Sequence, residues 1–383
     1  MTRVVIAGGG LAAARTCELL RRKGFDGEIV LLAAERRAPY DRPPLTKAAL
    51  RDEFDPTLRT DYEALSVDLR LGAAARSLHP AERVVGTDSG DVGYDALVIA
   101  TGASPVRLPG DGPQLVVRTA DDAALLRERL RAGARVVLVG ASWISAEVAT
   151  AALARGCSVT CVEAAPVPLG ALGEQVGQRM RPWWAEVDLR LGTGVDAITS
   201  GGVALTGGGH LDADVVVTGV GVRPDTAWLA GSGVELDRGV LVDEHLRTGV
   251  PGVYAVGDVA ARWSPRSGAR LRVEHWDEAR TAPETVVAQI LGTGIPEHDP
   301  VPYFWSDQFG RKLQYVGHHS AADTLVLRGA DSERWGAAWL SPQGRLTAHL
   351  GVNRPKQLVP ARNAIGAGAT PDPESLRDPE NPF

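Results

Sequence analysis

Two glycine-bearing segments hold the residues whose types and spacing suggest chemistry. Gly8-x-Gly10-x-x-Ala13 follows the apolar run Val4–Ala7 and opens an Ala/Leu-rich stretch from Leu11 to about Lys23. In a strand-to-helix turn of this kind the first glycine makes the tight bend. The second lets a pyrophosphate approach the backbone, and the third position needs only a small residue so that helix and strand can pack. Phosphate charge then meets the N-terminus of the helix. Glu35 lies 22 residues beyond Ala13, near the end of the next apolar run, where a carboxylate can accept a hydrogen bond from a ribose hydroxyl.

Gly140-Ala141-Ser142-Trp143-Ile144-Ser145 repeats the arrangement after Arg135–Val139, and Glu163 follows Gly140 by 23 residues. A carboxylate there accepts from a ribose 2′-hydroxyl and repels a 2′-phosphate, which favours NADH over NADPH. Two of the three small positions are serine. Ser142 adds a side chain where the pyrophosphate should approach; its hydroxyl could obstruct phosphate or donate to it.

These segments require elements that position them. Val4–Ala7, Leu11 to about Lys23 and Glu28–Leu32 read as strand, helix and strand. Arg135–Val139, about Ile144 to Arg155, and Ser158–Val162 read the same way. Short β-branched runs separated by Ala/Leu-rich helices indicate βαβ units on parallel sheets. The predicted class is therefore α/β, with two Rossmann-like dinucleotide-binding domains. Further strands are expected at Tyr94–Ala100, Asp214–Val220 and Gly252–Val256, and chain crossings between domains near Pro105–Pro113 and Arg238–Pro251. From Pro302 onward, alternating segments such as Leu313–Val316 and Thr324–Leu327 predict an antiparallel sheet, a C-terminal α+β domain. The proline-bearing tail Pro371–Phe383 is expected to be extended or poorly ordered.

Composition narrows the function. At 383 residues and 44% hydrophobic content the chain can build two or three cores. A net charge of −6 lacks the basic footprint of a nucleic-acid binder. Val301–Thr370 nevertheless carries eight Lys/Arg against four Asp/Glu, a stretch that could steer an acidic partner. Cys17, Cys157 and Cys161 form no Cys-x-x-Cys and read as small buried hydrophobes in a reducing compartment. No run reaches the ~18 apolar residues of a membrane span, so a soluble, cytoplasmic protein is expected. His275, His318 and His319 show no metal-ligand spacing, and no metal site is expected.

Several motifs then become specific in combination. Pro39-Tyr40-Asp41-Arg42-Pro43-Pro44-Leu45-Thr46-Lys47, Ala100-Thr101-Gly102, Val253-Tyr254-Ala255-Val256-Gly257-Asp258, Glu274-His275-Trp276 and Val301-Pro302-Tyr303-Phe304-Trp305-Ser306-Asp307-Gln308 occur in this order. Over nearly its whole length the chain resembles the FAD-dependent ferredoxin reductases of the putidaredoxin-reductase and rubredoxin-reductase type, related to apoptosis-inducing factor. The resemblance implies an FAD domain (1–108 and 239–301) split around an NAD domain (109–238), with a C-terminal interface domain (302–383). Arg42 and Lys47 would lie along the flavin, Ala75 near the adenine and Arg118 near the cofactor. Asp258 would serve the ribityl and pyrophosphate region, and Trp276 the pyrimidine end. Trp305 would sit at the flavin edge, and Glu147 would face the nicotinamide. Gly8, Gly10, Leu11, Ala12, Ala13, Glu35, Ala100, Thr101, Gly102, Gly257, Glu274 and His275 complete the implied FAD set. Gly140, Ser142, Ile144, Glu147, Glu163 and Gly221 form the implied NAD set. Besides the two serines, the chain departs from the family at Ala34, often acidic there, and at Asp277-Glu278, which would add negative charge near the flavin entrance.

The implied activity is hydride transfer from NADH to FAD, then single-electron delivery to a ferredoxin-type iron–sulfur protein, supplying a cytochrome P450 or Rieske oxygenase. Lys47 is the candidate for stabilising charge on the reduced ring. It should pair with Glu147 across the domain boundary beside the flavin, their charged ends within about 6 Å. An NADH oxidase or quinone reductase on the same fold, and a flavin-binding interaction protein with a decayed NADH site, remain open. So do the choice between a [2Fe–2S] ferredoxin and a rubredoxin, and that between monomer and dimer.

Overall fold

Val4, Val5, Ile6 and Ala7 are fully buried at the centre of a five-stranded parallel sheet. The computed structural model describes residues 2–329 and 332–383. Arg3–Ala7 is flanked by Glu28–Ala33 and Ala96–Ile99, with Val67–Leu71 and Val253–Ala255 at the edges. Unbroken apolar runs, rather than alternation, are what strands covered on both faces require. The helix Leu11–Arg22 follows the central strand and packs against a second helix, Trp276–Ile290. A small antiparallel sheet of Ala75–His79, Val84–Thr87 and Gly90–Gly93 completes this part. Together they belong to the first of two compact units, formed by the chain up to Asp41, Thr57–Ser104 and Arg223–Pro302.

The second unit comprises Arg42–Pro56, Pro105–Val222 and Tyr303–Phe383. The chain therefore leaves the first unit at Ser104, beside the Pro105–Pro113 segment, and re-enters it at Arg223. Arg238–Pro251 lies inside the first unit, where Val240–Val242 pairs with Ala260–Ser264. The parallel sheet of the second unit runs Asp188–Leu191, Ser158–Glu163, Arg135–Val139, Val215–Thr218 in space. Arg42–Pro56 joins this unit because its short helix Ala48–Arg51 packs on the helices Ala120–Arg129 and Trp143–Ala154. Arg127 donates to Ala49 O at 3.2 Å, and Arg155 to Arg51 O at 3.0 Å.

The C-terminal portion is a five-stranded antiparallel sheet in the order Tyr303–Gln308, Arg311–Gly317, Leu346–Val352, Gly336–Leu340, Thr324–Arg328. Leu313, Tyr315, Trp335, Trp339 and Leu350 of this part share a core with Leu169, Leu172, Val176 and Met180. That shared core explains why the sheet belongs to the same unit as the second parallel sheet.

The tail differs from the sequence expectation. Pro373–Arg377 forms a helical turn whose Leu376 is fully buried. The buried Arg328 guanidinium donates to Leu376 O at 3.0 Å and Asn381 O at 2.8 Å, and lies 4.4 Å from the Phe383 ring. Gln357 donates to Pro379 O at 2.6 Å. Prolines remove backbone donors but leave carbonyls, so this tail offers acceptors to cationic and amide side chains. The Phe383 ring meets His349 edge-on at 4.7 Å.

Burial beneath this tail lowers the pKa of His349 from its ordinary 6.5 to about 3, and the nearby Arg328 charge acts in the same direction. Below pH 6.5 the unfolded chain therefore takes up a proton that the folded sheet refuses, and stability falls as pH falls toward 3. Going from pH 7 to pH 5 should cost about 2 kcal/mol through this residue. Urea unfolding followed by tryptophan fluorescence should show His349→Leu losing about 2 kcal/mol less than the parent between those pH values. An equal loss in both proteins would refute the assignment.

Candidate active site

In the first unit, the loop after the central strand turns at Gly8 with φ +136°. A Cβ there would lie 2.0 Å from the carbonyl oxygen of Ala100, so the fold itself demands glycine. Gly10 is different. It caps the Leu11–Arg22 helix at φ −102° and ψ −171°, a conformation open to any residue, and an added Cβ would meet no atom within 4 Å. No side chain caps this helix, whose first-turn N–H groups have no partner within the helix. Packing within the protein gives no reason for glycine at 10.

The other implied FAD residues of this unit surround the carboxyl ends of the same strands, where parallel sheets bind ligands. Ala100 N donates to Ala7 O at 2.7 Å, and Thr101 Oγ1 to Asp225 O at 2.8 Å; Gly102 O accepts from Asp225 N at 3.0 Å. Leu11, Ala12 and Ala13 form the first helical turn, with Ala13 fully buried. Glu35 Oε2 accepts from the Tyr40 hydroxyl at 2.6 Å, and Ala75 begins the small antiparallel sheet. Gly257 and Asp258 form a turn against the Trp276–Ile290 helix, which His275 caps. Trp276 Nε1 donates to Asp41 Oδ1 at 2.8 Å, and Glu274 pairs with Arg272.

The charge expected from Asp277-Glu278 is not presented at an entrance. Both side chains are buried. Glu278 Oε1 accepts from Arg262 Nε at 3.2 Å and lies 2.9 Å from His298 Nε2, while Arg262 also donates to Asp299 at 2.8 Å. The His298 and Arg262 interactions outweigh the cost of burial and hold the Glu278 pKa below the ordinary glutamate value.

In the second unit Gly140 turns at φ +93°, and a Cβ there would lie 2.7 Å from Gly219 O. Ser142 takes up nearly the backbone of Gly10, φ −87° and ψ −179°, and caps the Trp143–Ala154 helix by accepting from Ser145 N–H at 3.4 Å. Ser145 is buried at the helix–strand contact. Its hydroxyl fits because residue 219 is glycine: a Cβ there would come within 2.5 Å of Ser145 Oγ and 3.1 Å of Ser142 Oγ. Ile144 and Val220 leave aliphatic surface exposed beside this loop, and Gly221 follows. Glu163 accepts from Ala141 N–H and Ala165 N–H, each at 2.7 Å, fixing the loop around Gly140.

Lys47 Nζ lies 2.8 Å from Glu147 Oε2, well inside the expected limit, but the pair does not cross a boundary between units as expected: the segment Arg42–Pro56 packs with the helices of the second unit, so both residues belong to it. The same carboxylate accepts from Thr46 Oγ1 and, through Oε1, from Ser306 Oγ at 2.6 Å. Trp305 lies beside Ser306 on the strand Tyr303–Gln308 and stacks on Tyr303 at 5.9 Å. Arg42 donates to Arg118 O. Thus Arg42, Lys47 and Arg118, implied for the flavin, belong to the second unit, whereas the glycine loop at 8–10 belongs to the first.

Gly219, Thr46 and Ser306 are site-shaping residues to which sequence reading assigns no role, although Thr46 and Ser306 lie within its motifs. The strand's period of two could have found Ser306, since 304, 306 and 308 share a face opposite Trp305. Cys17, Cys157 and Cys161 are buried free thiols, and burial raises each pKa. Among the described residues no His/Cys/Asp/Glu group could hold a metal, and no helix is long and apolar enough to cross a membrane.

Residues 2–282 match the family described as pyridine nucleotide-disulphide oxidoreductase, and residues 303–383 match the reductase C-terminal family. The ferredoxin–NAD(+) reductase component of the anthranilate 1,2-dioxygenase system of Burkholderia cepacia is 37% identical, over 98% of this chain and 97% of that protein. The corresponding component of the p-cumate 2,3-dioxygenase system of Pseudomonas putida is 34% identical, over 100% and 98%. The reductase in the crystal structure of the covalent putidaredoxin reductase–putidaredoxin complex superposes with a TM-score of 0.93 at 29% identity, covering 98% of this chain and 96% of that one. With two glycine-turned dinucleotide loops, a C-terminal sheet and relatives of this kind, the chain belongs to the pyridine nucleotide-disulphide oxidoreductases, among the ferredoxin reductases that its motifs resemble.

Proposed function

We propose that this chain is the NADH-dependent flavoprotein reductase of an oxygenase system, passing electrons singly to a ferredoxin-type iron–sulfur protein. The observation that carries the reading is the paired loop: in each unit a positive-φ glycine turns the chain at the carboxyl end of a central parallel strand and opens a helix N-terminus. FAD is the dinucleotide of the Gly8–Gly10 loop, and NADH that of the Gly140–Ser145 loop. The proposed division is an FAD domain of 1–108 and 239–301, an NAD domain of 109–238 and an interface domain of 302–383.

Bound FAD accepts electrons as a hydride pair and releases them one at a time. The rest falls to the chain's own residues. Glu163 accepts from the adenine ribose 2′-hydroxyl and disfavours a 2′-phosphate. Glu147 receives the nicotinamide carboxamide, and Lys47 supplies positive charge beside the flavin ring. Of the residues assigned to the flavin, Asp258 and Trp276 belong to the first unit and Arg42 and Trp305 to the second. Three separate buried thiols provide no dithiol relay, so electrons leave for an external acceptor. Such thiols suit a reducing compartment, and we assign the protein to the cytoplasm. Its acidic partner docks on the basic C-terminal stretch. There Lys312 is half exposed, 3.9 Å from Asp307, and Arg311 packs over Trp183 at 5.0 Å.

Gly10→Val should give a folded but colourless protein, because its side chain occupies only the space assigned to phosphate. Unaltered far-ultraviolet circular dichroism with loss of flavin absorbance is the expected result, and full FAD content would contradict it. Anaerobic reduction by NADH and NADPH in parallel tests Glu163. The parent should strongly prefer NADH, and Glu163→Gln should narrow that preference by about tenfold, or about 1.4 kcal/mol. Retention of the full preference would remove Glu163 from the ribose. Raising salt from ~50 to ~300 mM should slow ferredoxin reduction several-fold while barely changing direct reduction of a small neutral dye. Equal slowing of both would rule out electrostatic docking.

A further inference from the structure

Glu147 is buried, so each of its acceptor sites has to be accounted for. An ionised carboxylate has about four lone-pair sites. Oε2 accepts from Lys47 Nζ at 2.8 Å and from Thr46 Oγ1. Oε1 accepts from Ser306 Oγ at 2.6 Å, and one site on Oε1 is left. Ser306 is itself buried and takes a hydrogen bond from Gln308 Nε2 at 3.2 Å, which turns its own proton toward Glu147. The hydroxyl therefore decides which way Oε1 presents its remaining lone pair.

We infer that Ser306 is a positioning residue for substrate recognition: it orients Glu147 Oε1 so that its vacant site receives the carboxamide N–H of the nicotinamide. This rests on the proposed role of Glu147 and adds a specificity-determining residue from a different part of the chain. Two further contacts support the orientation. Trp143, one helical turn before Glu147, meets Phe304 edge-on at 4.7 Å, and Thr150, nearly one turn after it, accepts from Phe309 N–H at 2.8 Å. The helix face 143, 147, 150 is thus pinned to the chain on both sides of Ser306.

The test compares equilibrium binding of two dinucleotides to the oxidised, FAD-loaded protein by calorimetry. One is NAD⁺; the other is 3-acetylpyridine adenine dinucleotide, which carries a methyl group in place of the carboxamide amine. Both share the adenosine diphosphate half, so general damage to the cleft cancels in the ratio of their affinities. The parent should prefer NAD⁺ by about tenfold, the range for one hydrogen bond to a charged acceptor. Ser306→Ala should reduce that preference to within about twofold, and Ser306→Thr, which keeps the hydroxyl, should restore it. In a Glu147→Gln background, Ser306→Ala should change the ratio no further, as two residues acting as one unit require. If Ser306→Ala is not recovered folded, Ser306→Cys keeps the volume with a weaker donor and should also lower the ratio. A parent that discriminates beside a Ser306→Ala variant that discriminates equally overturns the role of Ser306 alone. A parent that binds the two equally, or neither, overturns the nicotinamide role of Glu147 and this inference with it.

Discussion

The structure depends on one backbone constraint used twice. At the carboxyl end of each central strand, a glycine at positive φ passes so close to a carbonyl next to the neighbouring strand that no side chain fits. Gly8 does so against Ala100 O, and Gly140 against Gly219 O. The close approach lets the chain leave the sheet sharply and start a helix. A β-carbon at either position would collide with that carbonyl and force the turn apart. Everything assigned to dinucleotide binding depends on these two turns.

What surrounds the turns explains how far the sequence could be read. The βαβ units were legible because their strands are covered on both faces, so apolar runs such as Val4–Ala7 and Arg135–Val139 stand out without any partner being known. Ser145 was not legible as a tolerated residue. Its fit depends on Gly219, 74 residues later and adjacent only through the pairing of Val215–Thr218 with Arg135–Val139. Compensation between distant positions leaves no local pattern. The tail failed for a related reason, since its prolines signal weak self-structure but say nothing of the buried Arg328 waiting for carbonyls. Glu278 reads as surface charge until Arg262 and His298 are seen to enclose it.

Ser142 shows why a broken fingerprint need not be a broken site. Its backbone angles nearly reproduce those of Gly10, so the turn survives the substitution. Its hydroxyl is drawn back onto the helix by Ser145 N–H, as N-cap serines are. At 3.4 Å that bond is long, and a phosphate oxygen would compete for the same N–H with the advantage of full charge. The substitution therefore leaves the loop geometry in place.

The geometry around Glu147 follows from a match between two periodicities. One four-residue step along a helix advances ~6 Å, and two residues of strand advance ~6.6 Å. A helix lying alongside a strand can therefore keep successive same-face residues in step with alternate strand residues. Trp143 opposite Phe304 and Glu147 opposite Ser306 are two such rungs. The same alternation sends Tyr303 and Trp305 to the other face of the strand, where they stack on each other. A single strand thus holds the carboxylate from one side and offers an aromatic surface on the other. A one-residue slip in its register would lose both at once, because it would exchange the two faces. The pairing of Tyr303–Gln308 with Arg311–Gly317, continuous over six residues, fixes that register.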